Sequence, residues 1–245
     1  MSLSWPRRLE VLLAPEGASW ACGAARGWCA GAPAEAFAAA LGAAPRARRV
    51  EVTLGGALVH CLVVPWPGEI EDEAEGAALA AHHFRRVFGE QADEWEIRFD
   101  TEEGTARLSC AASRALLEAL RAAAEAAGRR IASLQPFLAA SFNRWRREFG
   151  RAPALYVTLE RGRWCAAHLA GGEWRALRGG RLEGEPAAAL VELVARETAL
   201  AGDAGLPVRV YAPGFAALAA QLQGLGGQVR LLARAEEPLH AAPAH

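Results

Sequence analysis

The sequence predicts an α/β fold built twice over, as two βββαβαβ halves with a small α+β insertion in the first. Residues 154–169 read as a strand, a tight turn at 160–162 and a return strand, with alternating apolar residues that give one buried face. The opening of the chain repeats that plan, with an apolar strand at 9–13, a turn at 15–18 and then Trp20-Ala21-Cys22. Each half thus begins with an apolar strand, a glycine-containing turn, and Trp followed closely by Cys. Self-similarity over such a distance marks a duplicated unit.

In the first half, 9–13 and 19–23 form the hairpin, and 24–32 is a small-residue stretch carrying Trp28 and Cys29. Pro33 suits the first helical position of a short Ala-rich helix, 34–41, which Gly42 ends. A strand follows at 49–54. Gly55-Gly56 turns the chain into a more apolar strand, 58–64, closed by Pro65-Trp66-Pro67. The next helix carries Glu71, Asp72, Glu73 and Glu75 at its start, Arg85 and Arg86 near its end, and Gly89 just past it. Both ends suit the helix dipole, and Ala77, Ala81, Phe84 and Phe88 define its apolar face. Strands at 95–99 and 106–111 flank a polar turn. Ser113 then caps a helix with the face Leu116, Leu117, Leu120 and Ala124, which Gly128 ends. A strand at 129–134 leads to a helix over 136–149, in which Leu138, Phe142, Trp145 and Phe149 share one side.

Residues 150–153 separate the halves, giving a first half over 1–150 with its insertion at about 57–111, and a second half over 151–232. The second half reads as strands 155–159, 164–169 and 174–177, then a helix after Pro186 with the face Leu190, Val191, Val194 and Thr198. A strand at 207–211, a helix at 213–224 and a strand at 229–232 complete it. The tail, 233–245, has no period and is expected to be loosely held.

At 245 residues the chain is long enough to bury a substantial core, and its formal net charge of -1 gives no pull towards nucleic acid or anionic lipid. All 27 basic residues are Arg, which removes Schiff-base chemistry, the phosphate-loop lysine and any lysine general base. Cys22, Cys29, Cys61, Cys110 and Cys165 show no metal-ligand spacing and read as small core residues of a reducing compartment. Arg7-Arg8 is followed by too short an apolar run for a signal peptide, and no window is apolar enough to span a membrane. A cytoplasmic protein is therefore expected. His82 and His83 diverge on a helix, and His60 and Cys61 alternate on a strand, so neither pair reads as a metal site. Ser19, Ser109 and Ser133 lack a Gly-x-Ser-x-Gly context, which leaves a hydrolase without support.

The segment 58–66, the acidic-start helix, Phe88-Gly89, Glu94-Trp95-Glu96-Ile97 and the run 128–136 resemble the actin-like platform proteins of type IV pilus and type II secretion machines, the PilM-like and GspL-like class. The resemblance extends over residues 9–232. It implies the actin-like ATPase (ribonuclease H-like) fold, a cytoplasmic location at the bacterial inner membrane through a partner, and a scaffold role. The implied partners are a cytoplasmic segment of a membrane-anchored platform protein, held in a groove between subdomains that would here involve the inserted region 58–110, and the assembly ATPase; a homodimer is compatible with it.

Active members of that fold carry an Asp-x-Gly type turn in each hairpin, where main-chain N–H groups hold phosphates and the carboxylate serves a metal ion. Here the turns are Ala14-Pro15-Glu16-Gly17-Ala18-Ser19 and Leu159-Glu160-Arg161-Gly162-Arg163, and neither contains Asp. Pro15 also removes an N–H donor. Asp203-Ala204-Gly205 lies between a helix and a strand and reads as a loop. A pseudo-ATPase with no cofactor and no catalytic residue is therefore expected. The alternative is Mg-ATP binding through an altered loop, with Glu16, Gly17, Glu160 and Gly162 as its residues. For partner binding, Trp66 between two prolines reads as an exposed interface anchor, the alternative being that it only anchors the inserted subdomain. Arg144, Arg147 and Arg151, with Arg146 nearby, form a basic helix side that suits acidic headgroups or an acidic segment, while a solvated face opposite the Leu138, Phe142, Trp145 stripe is the favoured reading.

Overall fold

Strand β1 (Arg8–Ala14) alternates Leu9, Val11 and Leu13, all fully buried, with half-buried neighbours, so it presents one apolar face. In the computed structural model, which describes residues 8–45, 47–70, 72–101, 104–215, 218 and 229–232, that face anchors the first of three sheets. β2 (Gly17–Cys22) and β3 (Ala25–Ala30) continue the meander antiparallel, α1 (Pro33–Ala43) crosses back, and β4 (Arg49–Leu54) pairs parallel to β1. The insertion comprises β5 (Val59–Pro65), α2 (Glu73–Phe88), β6 (Trp95–Phe99) and β7 (Ala106–Ser113). α3 (Arg114–Ala126), β8 (Arg130–Pro136) and α4 (Phe137–Trp145) complete this half. The second half contains β9 (Ala154–Glu160), β10 (Arg163–Ala170), β11 (Glu173–Arg181), α5 (Pro186–Ala201), β12 (Val208–Tyr211) and β13 (Val229–Leu231).

The sheet orders are β3-β2-β1-β4-β8 and β11-β10-β9-β12-β13, so corresponding strands occupy corresponding places. The insertion forms its own sheet, β5-β7-β6. A packing device is duplicated as well. Trp20 opposes Gly27 across β2 and β3, and Trp164 opposes Gly180 across β10 and β11. A Cβ on Gly27 would meet the Trp20 ring at 2.7 Å, and one on Gly180 would meet Trp164 at 2.8 Å, so each indole lies on bare backbone. The cysteines beside these tryptophans are not equivalent. Cys22, two residues beyond Trp20, packs in the α1 core, whereas Cys165, one residue beyond Trp164, faces the core between the halves.

Several helix faces differ from the sequence reading. α2 buries Gly76, Ala80 and Phe84, rather than Ala77 and Ala81 with Phe84, because Trp66 lies against Gly76, where a Cβ would be 2.7 Å from the ring. Trp66 is only 7 % exposed, packed between Gly76, the Phe99 ring and the Arg107 guanidinium, which corrects the expectation of an exposed anchor. α5 buries Ala187, Leu190, Leu193 and Glu197, while Val191 is 41 % exposed. Glu197 tolerates full burial because His168 Nε2, Arg178 and Arg196 approach its carboxylate at 2.9–3.1 Å. Burial pushes its pKa up, but the His168 hydrogen bond and the two guanidiniums outweigh it and hold the carboxyl below its usual range. β3 is a strand where no alternation marks one, and the helix expected over 136–149 is α4 followed by a 3₁₀ turn, Arg146–Glu148. The helix expected at 213–224 falls almost entirely outside the described residues, as does the 233–245 tail.

Two cores lie under the outer helices: one where α1 and α3 cover β1 and β4, one where α5 covers β9 and β12. The third joins the halves. Phe137, Leu138 and Trp145 of α4 pack on Tyr156 and Tyr211 of the second sheet, with Leu108 from the insertion. There the Tyr156 hydroxyl donates to Ser141 Oγ at 2.7 Å, and Ser141 in turn donates to the Phe137 carbonyl. If the Trp–Gly pairs carry the duplicated hairpins, Gly27→Ala and Gly180→Ala will each destabilise the chain by about 1–3 kcal/mol in urea unfolding, the range of core overpacking. Substitution of exposed Gly42, with nothing within 4 Å of its Cβ position, will cost far less.

Candidate functional site

β4 ends at Leu54, and Gly55-Gly56 turns the chain towards the insertion, with Gly55 N–H donating to the Leu13 carbonyl at 2.8 Å. Glu160, the last residue of β9, reaches this turn from the other half. Gly56 N–H donates to both of its carboxylate oxygens, at 2.9 and 3.0 Å. A Cβ on Gly56 would stand 2.7 Å from Glu160 Oε1, so the approach requires glycine. The contact closes one side of a cavity of about 210 Å³ between the halves, lined by His60, Cys61, Leu138, Arg163 and Trp164 among others. Burial lifts the Glu160 pKa to about 7, against the opposing pull of the Gly56 N–H and Arg163. His60 stacks on Trp95 at 4.2 Å, and burial followed by the Arg163 charge lowers its pKa.

The four residues considered for a nucleotide do not converge. Glu160 lines the cavity, but Glu16 is exposed at the tip of its turn, and Gly162 takes φ +71° in a turn with nothing near its Cβ position. Gly17 is buried beneath Trp28, and a Cβ there would be 2.4 Å from both that ring and the Cys29 carbonyl. Each turn leaves only two residues between its strands. The cavity is also smaller than the roughly 300–1,000 Å³ of typical ligand pockets. The Glu160 carboxylate, moreover, uses the Gly56 N–H that an anion would need.

A second concavity runs beneath the insertion. It has two stretches, of about 370 and 440 Å³, which share Arg98, Cys110 and Pro136. The first lies between the insertion and the edge of the first sheet. Residues 131–134 of β8 line it in unbroken sequence opposite Leu54 and Leu117. Among the described residues β8 pairs with β4 alone, so it ends its sheet with one side of its main chain unpaired. Glu96, Arg98 and Arg121 border this stretch. Burial pushes Glu96 up, but hydrogen bonds from Arg121 and Arg98 outweigh it and hold the carboxyl below its usual range. The second stretch runs past Leu108, Phe142 and Arg146 to Trp174. Its far end is fixed where Thr105 Oγ1 donates to Glu173 at 2.9 Å and Arg175 donates to Thr105 Oγ1 at 3.0 Å.

None of the three residues singled out for partner binding lines this groove: Trp66 is buried against Gly76, behind Phe99 and Arg107, and Arg144 and Arg147 are exposed at the end of α4. The residues that do line it were not singled out. The signals in the sequence were the expectation that the inserted region, 58–110, takes part in a partner groove, and Arg146, noted as a neighbour of the basic helix side.

No protein-family profile matches the chain, and no curated protein matches it in sequence. Its structure is similar to a chain of the PilM–PilN type IV pilus biogenesis complex, with TM-score 0.65, 17% identity, and 92% of this chain and 88% of that chain covered. It is also similar to a Bacteroides thetaiotaomicron protein with an actin-like ATPase fold and unknown function, with TM-score 0.62, 8% identity and coverage of 93% and 91%. The chain has the actin-like ATPase fold. The cytoplasmic domain of EpsL, an inner-membrane component of the Vibrio cholerae type II secretion system, shares it at TM-score 0.57, 17% identity and coverage of 84% and 82%. In this chain Glu160 lies between the halves, against Gly55 and Gly56.

The Glu160 contact is measurable through pH. Its folded pKa of about 7 lies above the ordinary 4.5, so the native chain holds a proton that the unfolded chain releases. The stabilisation is present in full below about pH 4.5 and is lost as pH rises through 7. Glu160→Gln keeps an acceptor for Gly56 N–H without the charge. It will remove that fall and will be more stable than wild type at pH 8 by on the order of 2–3 kcal/mol in urea unfolding. His60, Arg163 and the Cys61 and Cys165 thiols face the same cavity, so the difference between the two proteins isolates Glu160.

Proposed function

We propose that this chain is a non-catalytic scaffold of an inner-membrane platform, of the type IV pilus or type II secretion kind, which holds a cytoplasmic segment of a membrane-anchored partner in the groove beneath the insertion. The observation that carries this reading is the unpaired edge of β8 beside an apolar wall. An extended peptide placed there gains main-chain hydrogen bonds along the strand and side-chain seats between Leu117, Ile131 and Leu134. The fold shared with a chain of the PilM–PilN complex and with the EpsL cytoplasmic domain supports the platform setting. No helix among the described residues is long and apolar enough to cross a membrane, so a peripheral position through such a partner is the matching arrangement. Exposed Arg144 and Arg147 then serve contacts outside the groove, with the assembly ATPase as the candidate.

Loss of ATP hydrolysis belongs to the same reading. Trp28 over Gly17 and the Glu160–Gly56 contact both oppose a phosphate cradle, which works against the alternative of a Mg-ATP enzyme.

Fluorescence anisotropy with a labelled synthetic peptide of the cytoplasmic segment of the single-span platform protein from the same genome tests the proposal. Micromolar binding is expected. Ile131→Asp, which places a charge on the apolar wall, will weaken it tenfold or more, roughly 1.4 kcal/mol, while Arg147→Glu will leave it unchanged. Calorimetry with Mg-ATP will show no binding. Peptide binding indifferent to Ile131→Asp, or Mg-ATP binding lost in Glu16→Ala, would overturn the reading.

A further inference from the structure

β5 and β7 pair antiparallel through the middle of the insertion sheet, and their register sets Cys61 directly opposite Cys110. Directly opposed residues in such a ladder hold their Cα atoms about 4.5–5.5 Å apart, inside the roughly 4.4–6.8 Å that a disulfide spans. Their Sγ atoms lie 2.6 Å apart as free thiols. This is the one such pair among the five cysteines, all of which are described. Cys22 opposes Ala25, Cys29 opposes Ala18, and Cys165 stands between Thr158 and Gly179. Among the described residues no group of three or more His, Cys, Asp or Glu is arranged to hold a metal ion, so the pair is not part of a metal site.

The two cysteines also line different spaces. Cys110 lines both stretches of the groove, whereas Cys61, with Cys165, lines the cavity between the halves. The pair is therefore the wall between these two spaces. We infer that Cys61 and Cys110 are an oxidisable dithiol, a modification site whose co-reactant is a small-molecule disulfide entering through the groove. The Cys110 thiolate attacks one sulfur of the reagent, forms a mixed disulfide and expels one thiolate, which takes up a proton. The Cys61 thiolate then attacks Cys110 Sγ and expels the second. Two protein thiols are oxidised to one disulfide, and the reagent is reduced to two thiols. A hydrogen bond with Cys110 and then burial hold the Cys61 thiol well above its usual pKa. That suits Cys61 to the second step, where the opposed sulfur supplies proximity, and leaves first attack to the groove-facing partner.

This assignment is independent of what occupies the groove. The test exposes the intact chain to oxidised glutathione at graded ratios to the reduced form, blocks free thiols with iodoacetamide and maps the peptides by mass spectrometry. A Cys61–Cys110 cross-link that dithiothreitol reverses is expected. The oxidised chain will also melt at a higher temperature, because the link closes a loop of 49 positions. Cys61→Ser will stop at a glutathione adduct on Cys110, and Cys110→Ser will form neither cross-link nor adduct at Cys61. Both cysteines remaining fully alkylated in the most oxidising mixture would overturn the inference. So would a cross-link made to Cys165 or an adduct that accumulates first on Cys61. The wild-type cross-link is read without either variant, so a serine variant that fails to fold does not affect the decision.

Discussion

Glu160 stands at the end of the second half's first strand, and its carboxylate is held by a main-chain N–H of the first half. Two glycines make the approach possible, since a Cβ on Gly55 or Gly56 would come within 3.0 Å of its oxygens. The arrangement carries an electrostatic cost. A carboxylate this buried is driven towards its protonated form, and one N–H and one neighbouring Arg163 only partly offset that drive. The two halves nevertheless remain joined, because the load is shared with the aromatic core of α4, Tyr156 and Tyr211 and with the Tyr156–Ser141 hydrogen bond. Glu160 and Gly56 thus line one side of the space between the halves together with His60, Cys61 and Arg163.

Closure on that side directs attention to the other face of the fold. The insertion is braced at three places: Trp66 seated on Gly76 holds α2 to its sheet, β7 shares cores with the first sheet and α4, and Thr105 meets Glu173 of the second half. Bracing at its ends leaves a groove beneath it, and β8, the last strand of its sheet, borders that groove with unpaired main chain. An exposed strand edge invites pairing with another chain. The insertion lies over this one, and Glu96, Arg98 and Arg121 border it, which is the setting the proposed extended segment would meet.

The duplicated α/β architecture is legible in the sequence because strand alternation and helix ends are local signals. Leu9, Val11 and Leu13 announce a buried face, and Ser113 and Asp72 each accept a hydrogen bond at a helix start. β3 escapes because this edge strand is only partly buried, with Ala25 and Cys29 against the core and no clear alternation to read. The α5 face is misread because a charged residue, Glu197, belongs to it, made tolerable by Arg196 beside it and by His168 and Arg178 on strands distant in sequence. Trp66 misleads for a related reason. Between two prolines it reads as a protruding ring, yet the missing side chain of Gly76 gives it a seat. Of the candidate site, Glu160 was legible as a turn residue but not as a bond to Gly56, 104 positions away. The groove depends on which strand ends a sheet and on where the insertion folds back, and neither is written in any one stretch of residues.

The central claim is that the working surface is the insertion groove and not the space between the hairpin turns. Hydrogen exchange read along the whole chain, with Mg-ATP and with the platform partner's cytoplasmic peptide added separately, tests it most directly. The account predicts that the peptide slows exchange in β8 and in the insertion strands facing it, while Mg-ATP leaves every segment unchanged. Slowed exchange at the Pro15-Glu16 and Arg161-Gly162 turns in the presence of Mg-ATP, with β8 indifferent to the peptide, would contradict it.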